Sequence, residues 1–149
     1  MKLSDNWFTA LSEAEGGGLV FVTGRLELEE FRLSRKLKVR VDIRWPYQHD
    51  DEGMPSEQDA ELIAELEPLL RKAMERDKLA ILTGNYTGGG EKNWIWYTRH
   101  LPTFGERLNA VLAPYPTLPL DIHCEEDEDW EEYLDMLSMQ ANDDADDED

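Results

Sequence analysis

The residues from 36 to 45 alternate strictly between apolar and charged side chains, and this pattern constrains the fold more than any other. Apolar side chains stand at every second position, namely Leu37, Val39, Val41, Ile43 and Trp45. Successive side chains of a β-strand point to opposite faces, so this spacing predicts a strand with one buried and one wet face. Such strands are typical of antiparallel sheets that are open to water on one side.

The other segments predict strands and helices in an order that indicates the fold. Further strands are expected at residues 6–11, 19–23, 79–86, 93–100 and 117–124. Helices are expected after the polar loop at residues 49–54, between the strands at 93–100 and 117–124, and after residue 124. From residue 36 onward the order is that of a ferredoxin-like split βαβ arrangement. We therefore predict an α+β fold with an antiparallel sheet, one or two extra N-terminal strands and a C-terminal helix.

Helix boundaries are predicted from capping residues and prolines. Ser56 offers an N-cap for the first helix, a capping box beginning at Thr103 opens the second, and Asp127 or Asp129 caps the last. Pro68 lies inside the first helix and predicts a kink or a break, and the apolar spacing on both sides favours a kink. Residues 26–31 are expected to continue the second strand, because leucines recur there at every second position.

The net charge of −19 is concentrated at one end of the chain. Residues 121–149 hold fifteen acidic side chains and no lysine or arginine, whereas residues 1–120 have a net charge of −4. The last eight residues contain no apolar side chain larger than alanine, which is typical of a disordered segment. The sequence therefore predicts one α+β domain over residues 1–139 and a disordered acidic tail over residues 140–149.

The charge and the composition exclude several classes of function. Nucleic acid and anionic membrane surfaces are bound through lysine and arginine, so direct binding of either by the acidic C-terminal part is not expected. No apolar run approaches the roughly 18 residues of a membrane helix, and the N-terminus lacks the apolar stretch of a signal peptide. A single cysteine fits a reducing compartment, which predicts a cytoplasmic protein.

The sequence predicts no catalytic residue, metal site or cofactor. The glycine runs at 16–18 and 88–90 are interpreted as hairpin turns, because a phosphate-binding loop needs a following helix. His123 and Cys124 are adjacent on a strand and point to opposite faces, so they do not share a metal ion. Cys124 is expected to be a small buried apolar side chain rather than a thiolate.

A candidate site for ligand binding is an aromatic groove on the sheet. Trp96 belongs to a group of aromatic side chains, Arg44 and Arg99 would hold an anion, and His49 would reach the groove from the adjoining loop. Aromatic strands more commonly form core and cross-strand contacts, and this alternative stays open.

Four stretches together resemble a bacterial family of domains of unknown function, number 695. They are Trp7, Gly53–Glu57 with the Leu66-Glu67 pair in the helix that follows, Thr83–Gly88 leading into Trp94–Thr98, and Asp127–Leu134. The resemblance extends to about Leu137 and implies no activity, because that family has no established one. A looser likeness in organisation is to the small acidic inhibitors of ribonuclease E, and a shared fold does not determine function.

Two hypotheses about function follow. The first is a non-enzymatic interaction or regulatory module whose acidic segment attracts a basic partner protein, such as an RNA-processing enzyme. Alternatively, the acidic tail has no binding role and only keeps the protein soluble. The second is a small-molecule binder or enzyme that uses the aromatic sheet face. An exposed sheet edge would also favour a homodimer.

Overall fold

The computed structural model describes residues 2–13, 18–47 and 53–147 of the chain, with side chains described as far as residue 140. These residues form six strands and four helices. In chain order they are β1 (Trp7–Glu13), β2 (Leu19–Arg25), α1 (Glu29–Ser34), β3 (Val39–Pro46), α2 (Glu57–Glu75), β4 (Ala80–Gly88), β5 (Glu91–Thr98), α3 (Leu101–Leu112), β6 (Asp121–Glu126) and α4 (Glu131–Asp147).

The six strands form one antiparallel sheet in the order β1-β2-β4-β5-β3-β6. The last four strands in this order, with the helices α2 and α3 between them in sequence, have the arrangement of a split βαβ unit. The strands β1 and β2 extend the sheet beyond β4. The predicted α+β fold, with extra N-terminal strands and a C-terminal helix, is confirmed.

Helices cover parts of both faces of the sheet. The helices α2 and α3 pack with Trp94 and Trp96 on one face, while α1 and α4 pack with Tyr97 and Ile95 on the other. We call these the α2–α3 face and the α4 face. On the α4 face, α4 lies over β1, β2 and β4, so the part formed by β3 and β6 stays accessible to solvent. The wet face predicted for β3 is this uncovered part.

The close packing of α4 on the sheet depends on a glycine. A side chain at Gly84 would place a Cβ atom 2.2 Å from the sulfur of Met136 and 2.7 Å from the carbonyl oxygen of Thr23. Both distances are far below van der Waals contact, so only glycine allows the helix to approach β4 this closely.

Several predicted boundaries are wrong in detail. Residues 29–34 form the helix α1 rather than a strand, because Leu28 and Phe31, three positions apart, both turn into the core. The last strand begins at Asp121 instead of residue 117. The helix α3 begins two residues before the predicted cap, since His100 Nδ1 accepts the Thr103 N–H at 3.3 Å.

Other details of the helices agree with the prediction. Ser56 caps α2 by accepting the Asp59 N–H at 3.2 Å. The helix α2 continues through Pro68, which excludes the predicted break, and the kink stays a prediction. Asp127 accepts the N–H groups of Glu131 and Glu132 at the start of α4, at 2.8 and 3.2 Å. Because α4 extends to Asp147, the domain boundary predicted at residue 140 falls inside a helix, and the disordered tail stays a prediction.

Candidate functional site

The strand β6 forms one edge of the sheet and is the strand whose described residues are the most accessible. It pairs on one side only, with β3, and all six of its residues are exposed. A strand in this position presents a row of backbone N–H and C=O groups that no neighbouring strand uses. The edge can therefore accept one further antiparallel or parallel strand.

Acidic side chains surround this edge, and we call β6 with the following turn the acidic edge. Its acidic members are Asp121, Glu125, Glu126, Glu128 and Asp129. Basic side chains pair with four of them. Arg44 contacts Asp121 at 2.8 Å and Arg40 contacts Glu125 at 3.0 Å, while Arg35 contacts Asp129 at 3.1 Å and Glu128 at 3.5 Å. These acidic partners are half or more exposed, so the ion pairs contribute little and exchange easily for pairs with a bound cation.

A cavity of about 390 Å³ lies beside the acidic edge on the α4 face. It is lined by Asp42, Arg44, Asn93, Asp121, Ile122 and His123. Burial raises the pKa of Asp42, and its contact with Arg40 at 3.1 Å acts in the opposite direction. A basic side chain that enters this cavity would lie close to the Asp42 carboxylate. It could then replace Arg40 as the ion-pair partner of Asp42.

The structure does not bring the four predicted ligand-binding residues together. Arg44 is exposed on the α4 face, whereas Trp96 is fully buried on the opposite face, 5.9 Å from the ring of Phe104. Arg99 lies beyond the end of β5, 3.6 Å from Asp77, and His49 lies outside the described residues. The tryptophans of β5 are core residues, so they do not form the predicted aromatic groove.

Cys124 is exposed, in contrast to the buried position expected from its strand. The reason is that α2 and α3 cover the centre of the sheet and leave this face of β6 uncovered. Partial burial raises the pKa of the Cys124 thiol, with Asp42 adding to the effect, which disfavours a thiolate. Among the described residues, no group of three histidines, cysteines or carboxylates has an arrangement that would hold a metal ion.

Sequence reasoning missed a polar cluster on the α2–α3 face. Lys92 donates to Asn85 Oδ1 and Thr87 Oγ1, both at 2.9 Å, and Glu67 accepts the Trp94 indole N–H at 2.9 Å. Burial lowers the pKa of Lys92, an effect that the nearby Glu67 carboxylate partly offsets. The sequence around Lys92 does not indicate this cluster, because the other members lie on β4 and α2.

The stretch from Asp127 to Leu134 anchors α4 to the sheet. Trp130 stacks on Tyr97 with ring centres 4.5 Å apart, and its indole N–H donates to the Leu37 carbonyl at 2.7 Å. The Tyr97 hydroxyl donates to Asp127 at 2.6 Å, and burial raises its pKa. The Tyr133 hydroxyl donates to the carbonyl of Arg25 in β2. This arrangement gives the Asp-x-x-Trp-x-x-Tyr spacing a structural role.

Comparison with protein families identifies one family over most of the chain. The model of a family of unknown function, DUF695, matches residues 5–138. The chain belongs to this family. The DUF695 match includes all six strands and most of the four helices, and it ends before the last residues of the acidic segment. No curated protein matches the chain, and no solved structure matches it.

No helix among the described residues of this DUF695 domain is long and apolar enough to cross a membrane.

Proposed function

We propose that the protein is a cytoplasmic, non-enzymatic interaction module that binds a basic, extended segment of a partner protein along β6. One observation carries the proposal: β6 is an edge strand exposed in all six residues, and β6 with the turn that follows it carries five exposed acidic side chains. Main-chain hydrogen bonds of an added strand give affinity, and side-chain contacts give specificity. The likeness in organisation to inhibitors of ribonuclease E suggests an RNA-processing enzyme as one such partner.

The alternation of β6 indicates the sequence that the added strand should have. Asp121, His123 and Glu125 pair with the residues of β3 that project from the α4 face. Ile122 and Cys124 project from the opposite face, and the Ile122 side chain is 49% exposed. A segment that alternates basic and apolar side chains would match both faces at once. Two β6 strands are not expected to pair with each other, because acidic side chains of one strand would lie opposite acidic side chains of the other.

We predict that a nine-residue peptide of alternating lysine and valine binds the full chain, and that the double variant Glu125→Gln/Glu126→Gln binds it about five- to tenfold more weakly. The matched control is Glu61→Gln/Glu106→Gln, which removes two exposed carboxylates from α2 and α3 and leaves affinity almost unchanged. Isothermal titration calorimetry at low and high salt measures both. Salt weakens the binding, because the contacts are electrostatic and partly exposed.

Two further peptides and one truncation define the outcomes. A peptide with glutamate in place of lysine should not bind, and one with two internal prolines should bind much more weakly, because proline cannot complete a ladder of hydrogen bonds. A chain that ends at residue 139 lacks six acidic residues and should keep most of the affinity. If the truncation removes binding while Glu125→Gln/Glu126→Gln does not, the acidic tail is the binding element and the proposal for β6 is wrong.

The opposite edge of the sheet is the expected site for a homodimer. In β1 the only charged side chain is that of Glu13, and Leu11, which pairs with Phe21 of β2, is 55% exposed. An exposed edge strand with only one charged side chain, at its end, is prone to pair with a second copy. We propose that the protein forms a weak dimer through β1, and we predict that Leu11→Lys shifts it to a monomer in sedimentation velocity. A dimer that persists in Leu11→Lys would contradict the use of β1.

A further inference from the structure

Three connecting segments of the chain meet at one end of the sheet and border an open cavity of about 300 Å³. The register brings them together, because Thr98 at the end of β5 lies opposite both Val39, the first residue of β3, and Ala80, the first of β4. The lining residues are Phe31, Ser34, Lys36, Leu37, Asp77, Lys78 and Arg99. The cavity lies away from the acidic edge and is separate from the surface proposed for a partner protein.

Three cationic side chains line this cavity, although the protein as a whole is strongly acidic. Lys36 and Lys78 form no ion pair with any residue that the structure describes. Arg99 has a 3.6 Å contact with Asp77, and its side chain is 48% exposed, so it can turn toward a ligand. The two lysines therefore offer positive charge that no described acidic side chain neutralises, and Arg99 shares Asp77 with Arg107.

The single acidic residue of the cavity is already engaged elsewhere. Arg107 of α3 donates to both carboxylate oxygens of Asp77, each at 2.8 Å. These hydrogen bonds hold the pKa of Asp77 well below its usual range, and they outweigh the opposite effect of burial. Because Asp77 stays ionised and paired with Arg107, it competes little for the three cations of the cavity.

The floor of the cavity is apolar. Phe31 and Leu37 are almost completely buried in the core of the α4 face, at 2% and 3% exposure, and yet both line this cavity. A ligand with an apolar body would contact the small exposed parts of these side chains and the aliphatic stems of the two lysines, while its charged end would lie among the ammonium and guanidinium groups at the rim. Pockets for small molecules combine an apolar lining with a few convergent polar groups in this way.

We propose that this cavity binds a small anion with an apolar body, seated on Phe31 and Leu37, whose carboxylate or phosphate is held by Lys36, Lys78 and Arg99. The cavity volume is at the lower end of the range for ligand sites, which limits the body to about one ring or a short acyl chain. The aromatic groove predicted from the sequence and this cavity share only Arg99.

The backbone at Lys78 provides a variant that removes charge without harming the fold. Lys78 has φ of +57°, in the left-handed region, where a side chain costs about 1 kcal/mol and glycine costs little. Lys78→Gly therefore deletes the ammonium group and removes the strain of a side chain in the left-handed backbone region. Arg99→Gln removes the second cation at an exposed position. Lys72→Gln, on α2 and outside the cavity, is the matched control for the loss of one positive charge.

The test is a titration of the full chain with phenyl phosphate, 3-phenylpropionate, benzyl alcohol and inorganic phosphate, followed by amide chemical shifts. We expect the two aryl anions to shift residues 31–37, 76–79 and 98–100. Lys78→Gly and Arg99→Gln should each weaken this binding about tenfold, whereas Lys72→Gln should leave it unchanged. Benzyl alcohol and inorganic phosphate should each bind at least tenfold more weakly than phenyl phosphate. The reason is that benzyl alcohol lacks the negative charge and inorganic phosphate lacks the apolar ring.

Three results would overturn this proposal. The first is equal affinity in Lys78→Gly, Arg99→Gln and the unmodified chain. The second is binding of inorganic phosphate as tight as that of phenyl phosphate, which would remove the apolar floor from recognition. The third is an equal loss of affinity in Lys72→Gln, which would mean that only the net charge matters. None of these results depends on the peptide binding proposed for β6.

Discussion

Replacing Trp130 with alanine is expected to lower the free energy of unfolding by about 3–5 kcal/mol, the usual cost of deleting a buried tryptophan side chain. Its side chain is 1% exposed and packs between Tyr97, which it stacks on, and Tyr133, which meets it edge-on at 5.5 Å. The substitution also leaves the Leu37 carbonyl without its indole donor. Since Trp130 precedes the first turn of α4, its loss weakens the attachment of that helix to the sheet.

Urea unfolding followed by circular dichroism measures this change, with the slope of the transition as a check for two-state behaviour. Leu134→Ala is the matched control, because Leu134 lies on the same helix and is 39% exposed, and it should cost less than about 1 kcal/mol. A loss below about 1 kcal/mol in Trp130→Ala would show that α4 is held by other contacts.

Replacing Arg25 with methionine is expected to cost about 3–5 kcal/mol, because it leaves a buried carboxylate without its main partner. The Arg25 guanidinium is 2% exposed and donates to Glu75 at 2.8 Å, to the Ser4 carbonyl at 2.8 Å and to the Leu82 carbonyl at 3.1 Å. It thereby joins β2, the N-terminal segment, α2 and β4. The ring of Trp7 lies 4.9 Å from this guanidinium and covers it.

Arg71→Met is the matched control for Arg25→Met, since Arg71 also contacts Glu75 and Trp7 but is 29% exposed. It should cost about 1 kcal/mol or less. In a double-mutant cycle, Arg25→Met combined with Glu75→Gln should cost clearly less than the sum of the two single changes. Additive costs would show that the two side chains do not stabilise the fold as a pair.

The fold was largely predictable because its strongest signals are local. The alternation in β3, the apolar run of β4 and the glycine turn before β5 each predict an element from neighbouring residues alone. The order of these elements then restricts the topology, as connections between sheet strands follow few patterns. The error at α1 arose because Leu26 and Leu28 fit the period of a strand, whereas Leu28 and Phe31 have the three-residue spacing of a helical turn.

The sites were less predictable because each depends on residues that are distant in the sequence. Arg25 and Glu75 are fifty positions apart, and Lys36 and Arg99 border one cavity only through the register of β3 with β5. Trp96 was proposed for a ligand groove because an aromatic strand residue has the same appearance in the core and in a binding site. The exposure of β6 follows from its place at the end of the sheet, which no local pattern reports.

Hydrogen exchange of the β6 backbone amides, with and without the lysine–valine peptide, tests most directly whether this edge accepts a strand. Addition of a strand should slow exchange at the amides of Asp121–Glu126 that do not pair with β3, and Glu125→Gln/Glu126→Gln should reduce this protection. Amides of β1, at the opposite edge, should not change. Binding of the peptide with unchanged exchange throughout β6 would contradict strand addition and would leave only unspecific attraction between opposite charges.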